Sequence, residues 1–298
     1  MDEATLDCVR KAGRAAGEAR ELGAAMVLDG ARLADVAIEA EALIVRKGAR
    51  LAFPCNISVN EMAAHFTPNS DETLRFKPGD VVKIDVGAHV DGMIGDTAKT
   101  VEVGTKNWKE LITASERALT QAIEMTADGT PVGAIGATIE RSIKSSSLRP
   151  VVNLNGHEMK KYNLHAGLSI PNYDDGNPSR LREGMLIAIE PFATNGKGEV
   201  VNAKMGNIYR VMRDRPLKDE KAYEFFTALR KEFNSLPFCE RWCEPISKDC
   251  RAQLRLLLRH GLIIGYNTLV EMDNGMVSQC EHTVVLRNGR AEVTTGAQ

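Results

Sequence analysis

The stretch "VVKIDVGAHVDGMIGDTAKTV", residues 81–101, reads as two β-strands folded back at Asp91-Gly92. Asp-Gly between alternating apolar residues is the signature of a two-residue type I′ turn. Such a turn pairs Val90 with Met93 and, counting outward, Asp85 with Ala98. Asp96 lies two residues from Ala98, so it projects from the same face as Asp85, as its diagonal neighbour. A three-residue turn would slip the count by one and make the two carboxylates diverge unless a bulge intervened. Both acids stand where a strand interior calls for an apolar residue. Two ionised carboxylates converging on a half-buried face repel each other, so one must be protonated or neutralised. A divalent cation does this better than a proton at neutral pH.

Two more acids break apolar runs in the same way. Glu190 in "GMLIAIEPF" follows what should be a buried strand, and Glu281 in "SQCEHTVVL" begins another. Either alone reads as a strand-end acid facing water. Together with His157 in "NGHEM", however, Asp85, Asp96, Glu190 and Glu281 supply four negative charges and one imidazole. Two divalent ions balance that charge and leave a position for a bridging hydroxide. Oxygen-rich ligation with one nitrogen suits Mn, Fe(II) or Co better than a structural zinc.

The remaining histidines sort by context. His89 beside the turn is expected in solvent, His260 at a helix C-terminus favours the dipole, and His282 should point to the opposite strand face from Glu281. His65 in "NEMAAHFTPN" and His165 in "KYNLHAGLSIPN" are left as motif histidines. Three of the six cysteines, Cys239, Cys243 and Cys250, sit in "FCERWCEPISKDC". No further His or Cys follows at a usual zinc distance, so reduced, packed thiols are the expectation.

The 298 residues allow one large domain or two modest ones, and their 43% hydrophobic and 26% charged content is that of a globular protein. A net charge of −2 gives no reason to expect a nucleic-acid or membrane partner. The charged N-terminus has no signal-peptide core and no apolar run is long enough to span a bilayer, so a cytoplasmic protein is expected. Helices are predicted over residues 2–28, 29–48, 108–127 and 132–145, and strands at "VVNLNGHEM", "LIAIEPFAT" and "EHTVVLRNG". Helices then strands, twice over, suggest two related halves sharing one sheet. Residues from about 195 to 270 break the scheme and read as a charged helical insertion between the strands carrying Glu190 and Glu281.

Five segments, "NEMAAHFTPN", "KIDVGAHVDGMIGDTAKTV", "NGHEMKKYNLHAG", "IAIEPFATNGKG" and "QCEHTVV", closely resemble those of type 2 methionine aminopeptidases, in the same order and with the same long insertion. The resemblance is strongest to the short archaeal form of these M24 peptidases. It implies an α/β (α+β) fold of the pita-bread (creatinase/aminopeptidase) type, a single catalytic domain over residues 1–298 with a pseudo-two-fold sheet and outer helices. It further implies a cytoplasmic metalloprotease that removes the initiator methionine from nascent polypeptides with a small second residue, a metal-bridging hydroxide attacking the scissile carbonyl. Asp85 and Asp96 would hold the first of two divalent ions (Co, Mn, Fe(II) or Zn), and Asp96 would reach the second. His157 and Glu190 would complete the second site, with Glu281 bridging both. Glu190 would move the proton, His165 would serve the oxyanion and His65 would orient the peptide. Phe53, Leu164 and Tyr266 would line the methionine pocket, with Ile208 where the type 2 pocket often has a histidine. The implied protein is a monomer in transient proximity to the ribosome, without nucleic-acid or membrane partners. The rival within the fold is an Xaa-Pro dipeptidase. The rival outside enzymology is a non-catalytic relative that has lost its ligands.

Overall fold

The computed structural model describes residues 1–296. Strands Val81–Val90 and Met93–Glu102 form the expected hairpin, with Val90 opposite Met93, Asp85 opposite Ala98 and Asp96 opposite Gly87. Asp91 (φ 51°) and Gly92 (φ 83°) are both left-handed, as a type I′ turn requires. Strand Arg50–Val59 pairs antiparallel along the first arm of the hairpin. Helices Glu3–Ala25 and Leu33–Arg46 lie over this sheet and bury Ala16, Ala19, Val36, Ala40 and Ile44 against Ile57, Ile84 and Val86. The second helix starts later than its sequence suggests. Residues 30–33 are instead held against 74–76, Gly30 N–H donating to Phe76 O at 2.9 Å and Leu33 N–H to Leu74 O at 3.1 Å.

The second half repeats this plan. Helices Lys109–Met125 and Val132–Lys144 pack through Leu111, Ala118, Ile135 and Ile139 onto Ile187, Ile189 and Val284. The sheet beneath contains Asn155–Met159, Leu186–Ile189 and His282–Arg287 in adjacent antiparallel positions. Threonine hydroxyls stitch the two halves together. Thr283 Oγ1 donates to Asp96 O and accepts from Asp96 N–H, both at 2.8 Å, and Thr97 Oγ1 donates to Glu281 O at 2.7 Å. A backbone bond from Glu281 N–H to Ala98 O at 3.0 Å completes the seam. The acids at 96 and 281 are therefore neighbours by backbone geometry.

Within the stretch 195–270, helices are confined to Glu220–Phe233, Glu240–Cys243 and Cys250–Arg259. They are bracketed by two long strands, Val200–Val211 and Ile263–Glu271, which pair antiparallel. The helices have their own core of Phe225, Phe226, Leu229, Phe238, Leu254 and Leu257. Cys239, Cys243 and Cys250 are buried free thiols, the last two within this core. Among the described residues no helix is long and apolar enough to cross a membrane.

Candidate metal centre

The hairpin register directs Asp85 and Asp96 into one cavity of about 350 Å³. Both acids come from strand interiors, so water cannot solvate them freely. Asp85 Oδ1 and Asp96 Oδ1 are buried with no hydrogen-bond partner, an arrangement that costs free energy unless a cation supplies the missing contact.

The second half brings three more ligating side chains to the same place. His157 is in the middle of Asn155–Met159, opposite Ala188 and Ser169. Glu190 occupies the gap between strands Leu186–Ile189 and Phe192–Thr194, where Pro191 removes a ladder donor. Glu281 occupies the equivalent gap between Val277–Gln279 and His282–Arg287. His157 Nε2 is 3.6 Å from Asp96 Oδ2 and 3.7 Å from Glu190 Oε1. One ligating atom each of Asp96, His157 and Glu281 lies within 4.8 Å of the others. Asp85 lines the cavity beside them.

The electrostatics follow from four acids and no lysine or arginine in ion pairs with them among the described residues. Burial raises the Asp85 carboxyl to about 7. Asp96 rises well above the carboxylate range through burial and then the charges of Asp85 and Glu190, Glu281 through burial and then the charges of Asp96, Glu190 and Asp85, and Glu190 through burial and the charge of Asp85. His157 is pushed down to about 3, first by burial, and offers a neutral nitrogen. Without cations the acids must share protons. Orphaned oxygens, a neutral imidazole and excess negative charge form a donor set that fits divalent metal.

All five remaining expected residues line the same cavity: His65, His165, Phe53, Leu164 and Tyr266. The His165 ring lies 4.4 Å from that of His157, centre to centre, and burial lowers His165 to about 4, so it is a neutral donor at ordinary pH. His65 is held left-handed at φ 64°, with Nδ1 3.3 Å from Asn267 O and its ring edge-on to Tyr266 at 5.2 Å. A left-handed histidine is uncommon, and such strain often marks functional positions. Ile208 and Pro237, with Phe192, extend the apolar wall.

Several participants escaped the sequence reading. Gln279 Nε2 donates to Glu190 Oε2 at 3.2 Å and Glu281 Oε2 at 3.4 Å, so it holds two of the acids. Asn56, directly opposite Asp85, also faces the cavity and has an unpartnered Oδ1. Their only sequence signal was polar character at strand positions. His89 differs from expectation. It is only 4% exposed, accepts from Gly92 N–H at 3.1 Å and packs edge-on to Tyr162, because the loop bearing Tyr162 folds over the turn. His260 caps helix Cys250–Arg259, and His282 turns away to meet Arg20 and Thr295. Among the described residues the acid-histidine group is the one cluster with metal-ligand spacing, and the three cysteines are not part of it.

Residues 7–225 match the model of metallopeptidase family M24. The chain is 41% identical over 285 residues to a methionine aminopeptidase of Methanocaldococcus jannaschii, covering 96% of both chains. Among solved structures, a thermophilic Arx1 superposes with a TM-score of 0.87 at 18% identity, covering 100% of this chain and 92% of that one. A methionine aminopeptidase of Thermotoga maritima gives a TM-score of 0.74 at 23% identity, covering 100% and 98%.

Proposed function

The chain belongs to metallopeptidase family M24, and on that premise we propose that it removes the N-terminal (initiator) methionine from nascent proteins and peptides with a small second residue. Its fold is the pita-bread fold of that family, and it is a divalent-metal hydrolase. The observation that carries the substrate reading is the pairing of buried, cation-seeking acids with an apolar pocket in one cavity. An unbranched thioether suits the wall made by Phe53, Leu164, Ile208 and Tyr266, and the acids lie at the reacting end.

Two divalent ions balance four carboxylates beside a neutral histidine, and Asp85, Asp96, His157, Glu190 and Glu281 are the residues we assign to hold them. Co, Mn, Fe(II) and Zn all suit this donor set. When bound, such ions lower the pKa of water into the neutral range and polarise a carbonyl oxygen. The protein's own groups do the rest. Glu190, with one oxygen fixed by Gln279, accepts the proton of the attacking water and passes it to the leaving amine. His165, neutral, donates to the oxyanion of the tetrahedral intermediate. His65 orients the peptide bond on its leaving side, its place set by Asn267 O and Tyr266. Because nascent chains carry the substrate group, we infer that the enzyme meets them in transient proximity to the ribosome.

The deciding experiment is hydrolysis of Met-Ala-Ser by metal-stripped protein titrated separately with Fe(II), Mn, Co and Zn. Activity restored by at least one ion supports the reading. Cleavage of an Xaa-Pro dipeptide but not of Met-Ala-Ser assigns the chain to dipeptidase chemistry. No turnover with any bound metal indicates a non-catalytic role.

A further inference from the structure

Strand Arg50–Val59 does not run a regular ladder past the cavity. Leu51 lies opposite Ala88, Phe53 opposite Gly87 and Asn56 opposite Asp85, so the strand bulges on both sides of Phe53. The Phe53 ring lies across Gly87, where a Cβ would come within 2.1 Å of Cε1. A doubly bulged strand fixes its side chains poorly by backbone pairing alone. The Cys55 N–H donates to Glu41 Oε1 at 3.0 Å.

Glu41, on helix Leu33–Arg46, is the centre of a buried knot. Arg241 of the insertion grips both its oxygens, at 2.5 and 3.1 Å, and Trp242 Nε1 donates to it at 2.9 Å. The same guanidinium reaches the segment that carries His65, donating to Pro68 O and Thr67 Oγ1, each at 3.1 Å. Two residues before Arg241, Cys239 pairs with Ile208 of the apolar wall. The pair thus ties together three walls of the cavity: the Phe53 strand, the His65 segment, and the insertion with Ile208 and Pro237.

We propose that the buried Glu41–Arg241 pair is a positioning element that sets the shape, and so the side-chain selectivity, of the apolar pocket. The inference rests on the aminopeptidase reading above. A buried ion pair is weak as stabilising glue, since apolar replacements of similar volume are often as stable, but its fixed fork geometry locates its neighbours.

The test compares Glu41→Gln/Arg241→Met and Arg241→Lys with the wild type on Met-Ala-Ser and Leu-Ala-Ser, using manganese-loaded protein. Gln retains an acceptor for Cys55 N–H, while the double variant loses the ties to Pro68 and Thr67. The expected result is unchanged circular dichroism and metal content, a raised KM for Met-Ala-Ser, and a Met-over-Leu preference in kcat/KM reduced by about tenfold. Arg241→Lys shifts the preference in the same direction, because one ammonium cannot serve all four acceptors. Folded variants with wild-type KM and preference overturn the proposal. If the double variant does not fold, Arg241→Lys decides alone. A wild type inactive with manganese and equally with Fe(II), Co and Zn sinks the aminopeptidase reading and this inference with it, whereas an active wild type with indifferent variants sinks only the role of the pair.

Discussion

His157 Nε2 lies 3.6 Å from Asp96 Oδ2, both side chains buried, although the two residues come from different halves of the molecule. The separation is long for a hydrogen bond and suits two groups arranged around a third. The first prediction follows from this spacing. Asp96→Asn removes one of four mutually repelling acids, so at neutral pH the metal-free variant is more stable than the metal-free wild type by about 1 kcal/mol or more, the free energy of a tenfold change in a proton-binding constant. It also loses the rise in Tm that manganese gives the wild type. Calorimetry with and without manganese, alongside elemental analysis, reads both. A variant that retains full metal removes Asp96 from the ligand set.

The pH dependence of metal-free stability has a defined sign. A carboxyl whose folded pKa is raised keeps a proton that the unfolded chain has released, so stability falls as pH rises between the two values. For Asp85 the interval runs from 3.8 to about 7, and Asp96, Glu190 and Glu281, each raised well above its ordinary value, act in the same sense. His157 and His165, lowered to about 3 and about 4, work in the opposite sense, adding stability as pH rises toward 6.5. Lys83, lowered to about 7, also opposes the acids above that pH, but through a single proton. From pH 6.5 to about 7 the acids prevail, and the Tm of stripped protein drops. Saturating manganese keeps the acids ionised and abolishes the drop. A Tm that climbs over this range without metal contradicts the proton-sharing picture.

His165→Ala leaves metal content intact and lowers kcat by about 100-fold, the usual loss when one oxyanion donor is removed. Steady-state kinetics on Met-Ala-Ser check this. A change confined to KM would reassign His165 to substrate binding.

Gly87→Ala tests the pocket floor. The new methyl occupies the space of the Phe53 ring, 2.1 Å from Cε1, so the ring must move. KM for Met-Ala-Ser is expected to rise by about tenfold with metal content unchanged. An unaltered KM would mean that Phe53 does not contact the methionine side chain.

The hairpin was legible because Asp91-Gly92 dictates the turn and the turn dictates which acids converge. Glu190 and Glu281 were legible as charges where ladders should continue, and the structure indeed places both in strand gaps. The strands Val200–Val211 and Ile263–Glu271 were not, because the first has a run of successive exposed residues and the second is half-buried along most of its length, so neither shows the alternation that marks a strand with one buried face. Gln279 and Asn56 carried no anomaly of charge. The Glu41–Arg241 pair spans 200 residues, and nothing local to either side chain points to the other. His89 was misread because the burial of a turn neighbour depends on a distant loop, here the one that brings Tyr162 over it.

The seam between Asp96 and Thr283 has a consequence for biosynthesis. Glu281 reaches the ribosomal exit late, almost two hundred residues after Asp96 has emerged. Until then the growing polypeptide holds an incomplete basket of acids, with its closing threonine clasp still to be made. A newly made copy therefore cannot close this group of acids until the segment carrying Glu281 and Thr283 has been synthesised and has folded against Asp96.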